Sequence, residues 1–116
     1  MHMETVIKGD NYTVEWDAES RAAHLKGILR LNGLDEYGPI ARFLSAAVSE
    51  GNMVLDLRNL EFLNSSGIAM LSKFVIEIRN RKVVDLTVLG SKEVSWQGKS
   101  LVNLCKLMPT LRMEII

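Results

Sequence analysis

The residues that could do chemistry in this chain are two neighbouring hydroxyls, Ser65 and Ser66, set between Asn64 and Gly67 in the stretch FLNSSGIAMLSKFV, Phe62 to Val75. Serines at such a junction have three uses. They cap a helix by accepting from a free backbone N–H, they carry a phosphoryl group, or they attack a substrate if a base stands beside them. The third use lacks its parts. No histidine pairs with Ser65 in the sequence pattern, and His24 reads as an exposed strand residue. Two histidines and one cysteine have no metal-ligand spacing. Asp35, Glu36 and Glu61 read as caps and solvated charges rather than an acid–base pair. Gly67 has no phosphate-loop lysine after it. No metal, cofactor or catalytic residue is expected. On residue chemistry alone, capping ranks ahead of phosphorylation.

Bulk properties narrow the classes further. The chain has 116 residues, 47 % hydrophobic and 24 % charged, the size and composition of one globular domain. Its 14 basic and 14 acidic side chains cancel, so there is no broad attraction for nucleic acid or anionic lipid. Cys105 alone cannot form an internal disulfide, which fits a reducing, cytoplasmic compartment. No apolar run is long enough to span a membrane, and the start lacks a signal-peptide pattern. Met1-His2 ahead of Met3 reads as a cloning remnant, and residues 1–10 are expected to be flexible or partly cloning-derived.

Several elements must position the hydroxyls. Tyr12, Val14 and Trp16 alternate with Thr13 and Glu15 as in a half-buried strand. Ala23, Leu25, Gly27 and Leu29 share one face of the next strand, opposite His24, Lys26, Ile28 and Arg30, with Asp17 to Ser20 as the hairpin turn. Ile40, Phe43, Leu44, Ala47 and Val48 recur at helical spacing, which predicts a helix over 35–49 stopped by Gly51, with Pro39 tolerable only in its first turn. Met53 to Leu57 reads as a buried central strand ending near Asp56. Ile68, Leu71, Phe74, Val75 and Ile78 form the next helical stripe, closing on Arg79, Arg81 and Lys82 at the negative end of the dipole. Val83 to Leu89 is a β-branched strand. Leu101, Leu104, Cys105 and Met108 make a third helical face ended by Pro109, and LRMEII closes as a strand. Trp96 is expected as a lid over the core. The alternation after Gly51 implies parallel pairing. The expected fold is α/β, a mixed sheet with an N-terminal antiparallel hairpin and helices packed on it, in one domain over 1–116.

LKGILRLNGL, then VLDLRNLEFLNSSGIAMLSKFVIEIRNR, then DLTVLGS resembles a STAS domain, as found in anti-sigma factor antagonists, over roughly Tyr12 to Ile116. The most specific part is FLNSSGIAML, which is similar to the family's F-x-D-S-S/T-G loop and helix start. The resemblance implies a STAS-like sheet and a partner-switching regulator. Ser65 occupies the phosphorylated position and Ser66 the second hydroxyl position. The implied partners are an anti-sigma factor or serine kinase of the histidine-kinase-like ATPase superfamily and a metal-dependent serine phosphatase. Two residues depart from the pattern: Asn64 stands for the acidic residue before the serine, and Arg30 for a second acidic residue. Arg30 and Asp56 are the expected phosphate environment, since guanidinium matches phosphate geometry. Met70, off the Ile68–Ile78 stripe, is the expected exposed contact for a partner. The alternative is a STAS scaffold or subunit of a larger signalling assembly that is never phosphorylated.

Overall fold

The structure, a computed structural model, describes residues 6–48, 51–82 and 84–116. The start, Met1 to Thr5 with its cloning-remnant reading, lies outside the described residues. Val6–Lys8, inside the stretch expected to be flexible, forms strand β1. It is followed by β2 (Tyr12–Asp17), β3 (Ala22–Leu29), α1 (Gly33–Ala47), β4 (Gly51–Asp56), β5 (Leu60–Leu63), α2 (Ser65–Arg81), β6 (Val84–Gly90), α3 (Gln97–Leu107) and β7 (Arg112–Ile115). The sheet runs β1-β2-β3-β4-β6-β7, with β5 attached to β3. β1, β2 and β3 are antiparallel neighbours, and every later pairing is parallel.

Residue parity explains the layering. Val14 pairs with Leu25, Ala23 with Leu55, and Leu55 with Val88, so these side chains share one face. All five are fully buried and belong to one core cluster with Tyr37, Ile40 and Leu44 of α1, Leu71, Val75 and Ile78 of α2, and Leu101 and Leu104 of α3. The helices therefore cover a single face. Thr13, Glu15, His24 and Thr87 line the other, which stays partly open. Cys105 packs against the core as a small apolar residue would.

Three local readings change. α1 ends at Ala47, so Gly51 does not stop it; Gly51 opens β4 with φ +103°. Pro39 lies in the second turn of α1 rather than the first. Its missing N–H deprives the Asp35 carbonyl of a partner, and Asp35 is exposed, so water can take that place.

The third change shapes the site. The strand expected over Met53 to Leu57 is β4, and a further strand, β5, follows at Leu60–Leu63 where none was expected. β4 pairs with the first part of β3, through Ala22, Ala23 and His24, and β5 pairs with the last part, through Gly27, Ile28 and Leu29. The register shifts between Gly27 and Ile28, and Gly27 holds φ +91° there. In the turn between β4 and β5 the Leu57 carbonyl accepts from the Leu60 N–H at 3.0 Å, and further donors reach the Leu57 and Leu60 carbonyls from the start of α3. Gln97, fully buried, donates through Nε2 to both, at 2.6 and 3.1 Å, and Trp96 Nε1 donates to Leu60 at 3.0 Å. Trp96 is thus the lid the sequence suggests, tied down by its ring nitrogen.

Candidate functional site

β5 carries the chain to the end of β3, where Leu63 lies opposite Leu29 and the Asn64 N–H donates to the Leu29 carbonyl at 3.2 Å. α2 begins immediately after, at Ser65. Asn64 is its N-cap and a junction of three segments. Its Oδ1 accepts from the Gly67 N–H at 3.0 Å and from the Tyr37 hydroxyl of α1 at 2.7 Å, while Nδ2 donates to the Leu31 carbonyl at 2.8 Å. Two donors on one atom and an acceptor on the other define the amide's orientation. Gly67 is demanded by space: a Cβ there would lie 2.2 Å from Leu63 Cδ1 and 2.7 Å from the Tyr37 oxygen. The Tyr37 phenol is fully buried, and burial pushes its pKa up.

With Asn64 capping, the hydroxyls are released from that duty. Ser65 is exposed at the first position of α2 and Ser66 half-buried at the second. Among the described residues neither hydroxyl has a hydrogen-bond partner. The first turn of α2 carries no acidic residue, so the positive end of its dipole is left unneutralised by its own side chains. Arg30 follows β3 at the same end of the sheet. Its guanidinium lies 4.7 Å over the Phe62 ring and, among the described residues, donates to no hydrogen bond.

Asp56 does not join this group. It pairs with His24, whereas Leu29 marks the level of the loop, five residues further along β3 or about 16 Å at the usual rise. It is nearly fully buried and engaged elsewhere. Arg58 donates through Nε and Nη2 at 2.9 and 2.8 Å, the Arg58 N–H donates at 3.1 Å, and His24 Nδ1 lies 2.8 Å from Oδ2. Burial alone would push this carboxyl up, but the Arg58 and His24 bonds prevail and hold it at about 2. His24 is accordingly a partner of Asp56 rather than a bare exposed residue. It is also too far along the sheet to serve as a base for Ser65.

Met70 is likewise misplaced by the sequence. It is 2 % exposed, because α1 lies against α2 and covers the side that the single Ile68–Ile78 stripe leaves out. It lines a crevice of about 230 Å³ with Leu34, Ala41, Ser45, Lys73, Phe74 and Glu77. The exposed apolar residue there is Leu34, at 41 %, in the first turn of α1. Its position past the LNG turn gave no periodic signal that would single it out.

No family model matches the chain, and no curated protein matches it in sequence. Among solved structures, the chain is similar to the activator SiaC in the crystal structure of the diguanylate cyclase SiaD in complex with its activator SiaC from Pseudomonas aeruginosa. The TM-score is 0.64 at 13 % identity, covering 97 % of this chain and 100 % of that one. That likeness shows the fold. Among the described residues, no helix is long and apolar enough to cross a membrane.

Proposed function

We propose that the protein is a non-enzymatic regulator of the STAS type that binds a protein partner through the surface around Ser65 and is released from it by phosphorylation there. One observation carries this reading: the Ser65 hydroxyl is exposed at the head of α2 and, among the described residues, has no hydrogen-bond partner, while Asn64 does the capping. A phosphate on Ser65 adds about −1.5 to −2 charges at the bare positive end of the helix. Arg30, whose guanidinium donates to no hydrogen bond among the described residues, is the second element of that environment, and Leu34 takes the apolar contact role first assigned to Met70. The partners this reading implies are a kinase or anti-sigma factor of the histidine-kinase-like ATPase superfamily and a metal-dependent serine phosphatase, in the cytoplasm. SiaC, described as the activator of a diguanylate cyclase, supports control through protein contact. It also widens the outputs to a signalling enzyme.

The second reading is a constitutive scaffold, favoured by the neutral Asn64 and cationic Arg30 where the family pattern has carboxylates. Calorimetric titration against a kinase-fold protein captured with the chain from its own cells separates the two. Ser65→Ala is expected to bind like wild type. Ser65→Asp should bind about ten-fold more weakly, as one carboxylate supplies less charge than a phosphate. Equal affinity for all three proteins would favour the scaffold.

A further inference from the structure

β7 ends the sheet. Among the described residues it pairs with β6 on one side and with no strand on the other. The Ile116 N–H donates to the Gly90 carbonyl and its carbonyl accepts from the Lys92 N–H, both at 3.0 Å. Backbone groups along a strand turn to alternate sides, so Arg112 and Glu114 also face β6, while Met113 and Ile115 direct their N–H and C=O groups to the free edge. Side chains alternate as well. Arg112 and Glu114 are exposed on the face away from the helices; Met113 and Ile115 are half-buried on the core side, beyond buried Leu111.

We propose that this edge pairs antiparallel with the same edge of a second copy of the chain, about a two-fold axis at Met113. In that register Met113 meets the partner's Met113 as a hydrogen-bonded pair. Arg112 then stands opposite the partner's Glu114 and Glu114 opposite the partner's Arg112, at non-hydrogen-bonded positions where side chains approach most closely. On the other face Leu111 meets the partner's Ile115. An axis at Arg112 or at Glu114 would set like charges against each other. An axis between residues would oppose outward backbone groups with inward ones and mix the two faces. An axis at Ile115 would leave Arg112 and Glu114 facing no opposite charge, so the alternation Arg-Met-Glu favours a second copy in the Met113 register.

Four-residue strands bury less than the roughly 1,000 Å² of a stable interface, so the dimer is weak and concentration-dependent. Sedimentation velocity at low salt, from about 10 μM to about 1 mM, covers the range in which such pairing occurs. The wild-type average mass is expected to rise toward a dimer across that range. Arg112→Glu and Glu114→Arg each oppose like charges twice and should raise the dissociation constant at least about ten-fold. An equimolar mixture of the two variants should associate again, because each carries the complement of the other. Both positions are exposed, so both variants should melt close to wild type; if one does not, the double swap Arg112→Glu/Glu114→Arg tests the same register and should dimerise. A wild type that stays monomeric at every concentration, a dimer insensitive to either reversal, or a mixture that stays apart overturns the proposal. Ser65 takes no part, so these outcomes leave the functional reading untouched.

Discussion

Met70→Asp is expected to lower stability by about 3–4 kcal/mol, combining loss of a buried thioether side chain with insertion of a carboxylate between two helices. For a domain of this size that lowers the melting temperature by more than about 10 °C. Met70 is 2 % exposed, and its neighbours Ala41 and Phe74 offer no cationic partner. Lys73 lines the same crevice but is exposed, so its charge is screened by water. Met70→Leu, which nearly conserves volume, should cost less than about 1.5 kcal/mol. Thermal melts of the two variants check this. Loss of partner binding in Met70→Asp would consequently report unfolding, and Leu34→Asp is the surface variant that probes contact.

Asn64→Asp is the second large effect, and it runs against the expectation drawn from family resemblance. An acidic residue there would complete the motif. In this chain the Asn64 Nδ2 donates to the Leu31 carbonyl at 2.8 Å, a bond that an ionised carboxylate replaces with two facing acceptors. That costs about 1–3 kcal/mol, against about 0.3–1 kcal/mol gained from negative charge at the helix start. The expected net loss is about 1–2 kcal/mol. The deficit should shrink as pH falls through the carboxyl range, since a protonated side chain can again donate to Leu31. A melt series over pH, with wild type beside it, checks both size and sign. A variant as stable as wild type at neutral pH would show that Leu31 is not a partner worth keeping.

What could be read from the sequence followed what local patterns encode. Alternation in Tyr12–Trp16 and Ala23–Leu29 found the hairpin and its buried face, and the Ile68–Ile78 spacing found α2. The strand over Met53 to Leu57 was legible as β4, whereas β5 was not, because Leu60–Leu63 is a short run whose pairing with the end of β3 is tertiary. The turn before β5 is tied down by Gln97, forty residues from Leu57. His24 was placed on the correct face, but its bond to Asp56 arises from the parallel β3–β4 register, which no local spacing reveals. Met70 failed because a single stripe describes a helix packed on one side, and α2 is covered both by the sheet and by α1. Asn64 was recognisable as a cap from its type, whereas its bonds to Tyr37 and Leu31 are tertiary. That difference reverses the reading of the hydroxyls: with the cap supplied by Asn64, Ser65 is free.

The most direct test of the Ser65 switch is phosphopeptide mass spectrometry on the chain isolated from its own cells, with Ser65→Ala expressed in parallel. The account predicts phosphate on the peptide containing Ser65, localised to that residue, and none on the corresponding Ser65→Ala peptide, with no transfer to Ser66. Phosphate confined to another residue, or a wild-type chain never phosphorylated under any condition that alters partner binding, would contradict it.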